Sequence, residues 1–459
     1  MQNIGMQDKG MLNKLKMARP RLALALGAAL LLSGGNAAAI DLQQAYAMAL
    51  QNDPVYRSAF YENEAGKESA VIGRSGLLPS VQANYNASKN RADITSTNIL
   101  GQESLTHPNY ISRVATVQLR QSLFNLDALA RYKQGKAQSA LSEQMFNVRT
   151  QELLLRVVSA YVDVLYTDEQ VRLVMAQRDA FTEQRKINER LLQHGEGTRT
   201  DVLEITARLE LAEAQLIEAK DAQLTARNTL AGIVGGDIGT LNALNDNFRM
   251  QPLQPAGLEQ WRATALAQNP ELKAQTIALD VAKQEINKAR AGHAPRLDLV
   301  ASYSKNAAET LNTYNQDSVV RALGVQLVVP MYQGGYVNAV SRQAVANLEK
   351  TRADLQAKTD RALIEVSKQY SAVQSGVAKV NALNRAVESG NLLIQATEQS
   401  IKGGVRINLD LLNAQQQLFS TRRDLAQARY GYLLARLRLS AAAGTLSAAD
   451  MNQTAAYFR

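Results

Sequence analysis

Residues 81–90 read Val-Gln-Ala-Asn-Tyr-Asn-Ala-Ser-Lys-Asn, and residues 297–306 read Leu-Asp-Leu-Val-Ala-Ser-Tyr-Ser-Lys-Asn. In the first, Val81, Ala83, Tyr85 and Ala87 alternate with Gln82, Asn84, Asn86 and Ser88. In the second, Leu297, Leu299, Ala301 and Tyr303 oppose Asp298, Ser302 and Ser304. A period of two marks a strand, whose successive side chains leave by opposite faces. The pattern returns at Ala115, Val117 and Leu119 against Thr116, Gln118 and Arg120, and at Leu323, Val325 and Leu327 against Gly324 and Gln326. Alternation alone fits a half-buried sheet of a soluble domain as well as transmembrane strands of about ten residues, apolar outside and polar inside. Four strands cannot close a barrel, for which about eight are the working minimum. A membrane reading therefore requires several chains to pool their strands.

These segments belong to an internal duplication. Residues 42–90 align without a gap on 258–306, with Pro54 on Pro270, Arg74 on Arg290, Gly76 on Gly292 and Pro79 on Pro295. The match resumes beyond a loop, with Val117-Gln118-Leu119 on Val325-Gln326-Leu327, Tyr161 on Tyr370 and Gly235 on Gly444. The offset shortens only across the polar segment between Asn90 and Arg113, where a surface loop takes up the difference. A repeat at nearly fixed offset means one supersecondary unit used twice. The expected organisation is a first repeat at 40–235, a linker at 236–257 containing Pro252 and Pro255, a second repeat at 258–446 and a tail at 447–459. Strands are expected near 80–122 and 296–330, with long helical hairpins at 126–235 and 335–444.

Each unit opens with an alanine-rich helix (42–52, 258–268) that ends at Asn-Asp-Pro or Gln-Asn-Pro. Proline stops the preceding helix and suits the first turn of the next. Further on, residues 126–193 hold no proline and one glycine, Gly135, and 337–402 are likewise free of proline. Unbroken, such runs reach on the order of 100 Å at about 1.5 Å per residue, which suits a structure crossing a periplasm. The companion helices carry heptads. One runs Val202, Ile205, Leu209, Ala212, Leu216, Ala219, Ala226, Leu230; the other runs Leu411, Ala414, Leu418, Thr421, Leu425, Ala428, Tyr432, Ala435, Leu439. Leu203, Ala207, Ala214 and Ile217 form a second seam beside the first. One stripe is ordinary coiled-coil core, whereas two let a helix pack on both neighbours, as the wall of a helical barrel requires.

The ends and the composition narrow the class. Lys9, Lys14, Lys16, Arg19 and Arg21 precede the apolar stretch 22–32 and the small residues Ala37-Ala38-Ala39, the layout of a secretory signal peptide at 1–39. Its removal takes away five basic side chains and one acid, Asp8, and lowers the formal charge from +9 to +5. So mild a surplus argues against a nucleic-acid partner. With no cysteine in the chain, thiol chemistry, disulfides and an N-terminal lipid anchor are excluded. After the signal peptide no stretch approaches the roughly 20 apolar residues of a spanning helix. A membrane protein of this profile has to be a β-barrel.

Catalytic patterns are absent from the sequence: no phosphate-binding glycine loop, no His-Glu-x-x-His, no Gly-x-Ser-x-Gly, no calcium-loop spacing. His107, His194 and His293 lie far apart in loop-like contexts and do not suggest a shared metal site. The reading is therefore of no catalytic residue, no metal and no cofactor. A transport role then needs partners that supply energy.

The duplication, Ala428-Arg429-Tyr430-Gly431-Tyr432-Leu433-Leu434 with Ala443-Gly444-Thr445-Leu446, and the turn Gly197-Thr198-Arg199-Thr200-Asp201-Val202-Leu203 together resemble the TolC family of outer-membrane factors over 42–446. The resemblance implies an α+β membrane protein: a homotrimer with four strands per chain, a twelve-stranded outer-membrane β-barrel continued by a twelve-helix coiled-coil barrel, and a mixed equatorial region. It places the periplasmic entrance at the turns 194–200 and 403–408. There Arg406 matches a gating arginine, Thr200 and Asp201 match its partners on a neighbouring helix pair, and Asp410 matches one ring aspartate of the constriction. Asn413 stands at the second ring position and Ile401 at the position of a tip tyrosine, so half the acidic charge and one closing hydrogen bond of the family pattern are missing. Helix capping and surface pairing would account for the same residues.

The family further implies outer-membrane lipid around the barrel, a periplasmic membrane-fusion adaptor, an inner-membrane ABC transporter or RND pump, and an exported protein or small molecule as substrate. The Gly-Thr-Arg-Thr-Asp-Val-Leu turn and the lack of a lipidated cysteine point toward type I protein secretion. Drug efflux is the alternative within the family. A soluble periplasmic coiled-coil adaptor is the alternative outside it, though it would have no use for period-two strands with outward tyrosines.

Overall fold

The computed structural model describes residues 40–245, 248–308 and 316–458. The expected signal peptide at 1–39 lies outside them, as does part of the expected surface loop between Asn306 and Ser318. The first half runs α1 (Leu42–Asn52), α2 (Pro54–Ser75), β1 (Ser80–Arg91), β2 (Ile94–Thr97), β3 (Glu103–Thr106), β4 (Asn109–Phe124), α3 (Leu126–Gln193) and α4 (Arg199–Val234). The second runs α5 (Leu258–Gln268), α6 (Pro270–Arg290), β5 (Arg296–Ala308), β6 (Gln316–Val328), α7 (Tyr336–Lys402) and α8 (Asn408–Ala443), followed by the short α9 (Ala448–Ala455).

Local chemistry sets the element boundaries. Asp53 and Asn269 are buried and cap α2 and α6, accepting from the Tyr56 amide and from the Glu271 and Leu272 amides, with proline at the first helical position of each. The Asp53 carboxylate, 3% exposed, is neutralised by Arg156 Nη2 at 2.7 Å. Asn269 needs no counter-charge and sends Nδ2 to the Ala442 carbonyl at 2.9 Å. The long helices α3 and α7 contain 68 and 67 residues, hence on the order of 100 Å each. Gly135 sits within α3 where α2 packs closely against it. A Cβ at that position would fall 2.2 Å from the Ser69 carbonyl oxygen.

The main sheet is antiparallel with strand order β1-β4-β5-β6. Register brings Ala83, Val117, Tyr303 and Arg321 into one row and Gln82, Gln118, Ser302 and Ala322 into the next. One face is thus largely apolar yet exposed, Leu323 at 76% and Tyr85 at 67%. The other carries a ladder of small polar groups: Ser88 and Ser112 hydroxyls at 2.8 Å, Thr116 and Ser304 hydroxyls at 3.0 Å. Arg120 pairs with the buried Asp298 at the helix end of this polar face, just above a bulge at Ser122 and Phe124. Strands β1 and β6 are the edges and, among the described residues, have no neighbour on their outer sides.

One segment expected as loop is partly ordered. Between β1 and β4 the chain forms the hairpin β2–β3, paired from Ile94↔Thr106 to Thr97↔Glu103. Its turn is made by Asn98, whose side chain accepts the Leu100 and Gln102 amides, and by Gly101 at φ +78. Four-residue polar strands leave too little periodicity to register as strand in a sequence, whereas a side chain that mimics a turn acceptor folds them locally.

The main core lies midway along the long helices, where α1, α5, the ends of α4 and α8, the segment 236–257 and α9 gather. Tyr161 is fully buried and donates to the Ile40 carbonyl at 3.0 Å, and burial pushes its phenol up to about 12. At the equivalent place Tyr370 donates to the Ala256 carbonyl at 2.7 Å. The first heptad seam is buried at Ile205, Leu209, Ala212, Leu216, Ala219 and Leu230, and the α8 seam at every position from Leu411 to Leu439. By contrast, Leu203 and Ile217 of the second seam are 62% and 65% exposed. Among the described residues no helix is long and apolar enough to cross a membrane.

Candidate functional site at the hairpin tips

The helix hairpins turn at the end of the chain's long axis opposite the sheet. In the first turn, the amides of Glu196 and Gly197 fold back to the Leu191 carbonyl at 2.9 and 3.1 Å, with Gly195 at φ +75. Thr198 then caps α4 in a full capping box: its hydroxyl oxygen accepts the Asp201 amide at 3.1 Å and the Asp201 carboxylate accepts the Thr198 amide at 3.2 Å. The Thr198 hydroxyl also donates to the same carboxylate oxygen at 2.6 Å.

The second turn has the same path and a different cap. The Val405 amide returns to the Ser400 carbonyl at 2.9 Å and Gly404 sits at φ +73. Ile407 occupies the cap position and offers no side-chain acceptor. Asp410, at the place equivalent to Asp201, therefore has no capping box to enter. It stays in the first turn of α8, where the helix dipole favours a negative charge.

The structure places the sequence-selected residues at these two turns. Thr200 and Asp201 lie in the first turn of α4, Asp410 and Asn413 lie one turn apart on one face of α8, and Arg406 is exposed just ahead of it. Among the described residues neither the Arg406 guanidinium, the Asp410 carboxylate nor the Thr200 hydroxyl makes a side-chain hydrogen bond or ion pair within the chain. Asp201 is engaged in its own cap.

Sequence reasoning missed the groups that join the two hairpins. Asn408 Nδ2 donates to Asn188 Oδ1 at 2.8 Å, and Gln184 Nε2 donates to Asn188 Oδ1 at 3.1 Å and to Asn408 Oδ1 at 3.0 Å. Asn188 is 3% exposed and also donates to the Asp201 carbonyl at 3.3 Å. Arg208 on α4 spans to α8, donating from Nη2 to Asn413 Oδ1 at 2.8 Å and to Glu204 Oε1 at 3.1 Å. Asn413 thus holds the two hairpins together in addition to facing outward. Their partners on the other hairpin lie more than 200 residues away in sequence, so no local pattern announces them. Beneath them Phe181, Ile205, Leu209, Ala212 and Leu412 form a small apolar core.

Such an arrangement can hold and release a helix pair and can present charge to a pore. Nothing in it resembles a reaction centre. Among the described residues no three His, Cys, Asp or Glu side chains gather as metal ligands do, and His194 sits alone at the first turn.

The family model described as "Outer membrane efflux protein" matches residues 45–236 and 261–445, taking in both hairpins and both strand pairs. The chain belongs to this family, the TolC-type outer-membrane factors. It is 42% identical over 434 residues to the alkaline protease secretion protein AprF of Pseudomonas aeruginosa, covering 94% of this chain and 90% of that protein. It is 38% identical over 446 residues to the proteases secretion protein PrtF of Dickeya chrysanthemi, covering 96% of each. Among solved structures the CmeC outer membrane channel of Campylobacter jejuni superposes with a TM-score of 0.77 at 17% identity, over 91% of this chain and 90% of that one. The outer-membrane factor therefore has the fold of a TolC-like channel, sheet at one end and helical barrel wall below. Its relatives of known structure are channels rather than enzymes, and its place is the outer membrane with the helices extending into the periplasm.

Proposed function

We propose that three copies of this chain form a passive duct through which a type I secretion system exports protein across the periplasm and outer membrane. The observation that carries this reading is the open four-stranded sheet. It has one apolar exposed face, unpaired edges at β1 and β6, and helices of 68 and 67 residues leading away from it. An exposed apolar edge strand is an aggregation hazard unless something pairs with it. Pairing β6 of one chain with β1 of the next makes twelve strands, closes the sheet and turns the apolar face to lipid. The exposed second seam of α4 would meet a neighbouring chain in the same assembly.

The two element series support a chain built from two tandem units, at 40–235 and 258–446, with 236–257 a linker and 447–459 a tail; the basic, apolar and small-residue layout of 1–39 supports a signal peptide. At the tips, Arg406, unpaired within its own chain, would reach Thr200 and Asp201 of the neighbouring chain, and Asp410 with Asn413 would line the constriction. The Arg406 link is charge-assisted and reversible. A passive duct draws its energy from elsewhere. That supports a periplasmic membrane-fusion adaptor and an inner-membrane ABC transporter as partners.

Protein is favoured as cargo by similarity to two protease secretion proteins over nearly the whole chain. Small-molecule efflux is the second reading, favoured by 28% identity over 446 residues to the outer membrane efflux protein BepC of Brucella suis. Comparing proteins secreted by a strain lacking the gene with those of its parent separates the two. Loss of one or a few large proteins from the medium is the expected result. An unchanged profile with raised sensitivity to small toxic compounds would overturn the protein-cargo reading.

A further inference from the structure

On the apolar face of the main sheet β4, β5 and β6 each carry one cation, and β1 carries Lys89 with Arg91 beyond it at the strand end. Lys89 on β1 shares its face with Tyr85, Arg113 on β4 with Val117, Lys305 on β5 with Tyr303, and Arg321 on β6 with Leu323, since each pair is separated by an even number of residues. All four are exposed. The Arg321 guanidinium lies 5.6 Å from the centre of the Tyr303 ring, which fixes both on one face. None of the four is in an ion pair among the described residues, and Asp317 is the one acid on that face of these strands.

Register aligns them. Lys89 is opposite Ile111, two residues above Arg113; Arg113 is opposite Ala307, two above Lys305; Lys305 is opposite Val319, two above Arg321. The cations therefore descend by two residues at each strand crossing. Strands in a membrane barrel tilt by roughly 35–45°, so a level line drops by about one to two residues per crossing. The sheet's own upper ends fall in the same sense, from Arg91↔Asn109 to Ala308↔Gln316, with Ala308 level with Ser112. The diagonal on the flat sheet becomes nearly level on a tilted barrel. It lies in the half of the sheet away from the helices, with Ile111, Ala307 and Val319 beyond it and most of the apolar rows below.

Charge at this height would cost least facing the watery lumen, yet the inner face is neutral there. Asn90 Nδ2 donates to Ser112 Oγ at 3.1 Å, Ser88 and Ser112 share a hydrogen bond, and Thr116 meets Ser304. Cations set on the lipid side at one level are stable where anionic headgroups meet them. Guanidinium forks and ammonium groups match phosphate oxygens.

We propose that Lys89, Arg113, Lys305 and Arg321 form an outward collar that binds phosphate-bearing lipid headgroups of the leaflet farther from the helices. The inference rests on the barrel reading above, in which this face meets lipid.

The test uses the full chain reconstituted in phosphatidylcholine vesicles with or without phosphatidic acid. Conductance across a planar bilayer reports insertion, and phosphatidic acid retained per chain after gentle re-extraction reports binding. The variant is Lys89→Gln with Arg113→Gln, Lys305→Gln and Arg321→Gln; the control is Lys133→Gln with Lys379→Gln on the long helices. The collar predicts retention by parent and control, and a loss of at least about tenfold in the variant while it still conducts. Should the fourfold variant fail to insert, Arg113→Gln and Lys305→Gln singly carry the test, each lowering retention. Equal retention by conducting parent and variant overturns the collar, as does displacement of the lipid by inorganic phosphate. A parent that never conducts overturns the barrel reading, and the collar with it.

Discussion

At equivalent turns, Thr198 draws Asp201 into a capping box while Ile407 leaves Asp410 outside one. The first tip spends its acid on its own helix and the second keeps its acid available. Beside Asp410 stands Arg406, where the first tip has Gly197. Two copies of one turn have thus been divided into a rigid half and a charged half. A similar division occurs where the short helices begin: Asp53 needs Arg156 as counter-ion, and Asn269 does the same capping without charge.

The largest effect is expected at that last pair. Arg156→Ala leaves a nearly buried carboxylate unpaired, at a cost of about 3 kcal/mol. Adding Asp53→Asn, which copies the chemistry of the second half, should return most of it. Denaturant midpoints of the detergent-solubilised chain read both, and a single variant as stable as its parent would show that the charge pair is not what distinguishes the halves.

Asp410→Ala should weaken block of the reconstituted channel by divalent cations about tenfold, whereas Asp201→Ala should change it less than about twofold. Wild-type block and selectivity in the first variant would remove Asp410 from the constriction. Arg406→Ser comes next, raising closed-state conductance about fivefold through loss of a charge-assisted link. An unchanged conductance sinks the latch. The smallest change sharpens the comparison most. Ile407→Thr gives the second tip the cap of the first, adding about 0.5–1 kcal/mol to the start of α8 and drawing Asp410 inward. Slower amide exchange at Asp410 together with roughly twofold weaker block is the expected pair of results. Slower exchange with unaltered block would mean that capping and pore charge are independent.

Much of this architecture is legible in the sequence because it is periodic. Strand alternation at Val81–Ala87 and the heptads from Leu411 to Leu439 each repeat one physical demand many times, and the duplication states it twice. The tips were legible only as positions. That Thr198 rather than Thr200 is the cap depends on where α4 starts, to within a residue, and periodicity does not resolve that. Arg208 and Asn413 meet across 205 positions, and Asn188 looks like any polar residue on a long helix until Asn408 is beside it. Contacts of this kind arise from packing two hairpins together, so neither hairpin's sequence carries them alone.

Helices α3 and α7 differ by one residue, 68 against 67, and α4 and α8 are both 36 residues long. Because both hairpins start from one sheet and end at one set of tips, their reach cannot be altered singly. Seven residues taken from α3 alone would set its tip about 10 Å short of its neighbour and part Asn188 from Asn408. A change in span has to be cut from every helix below the core at once, in whole heptads, to keep the buried seams in phase. The chain is in effect a pair of gauge rods cut to one length. An envelope of another width calls for a different pair, while loops and tail remain free to vary.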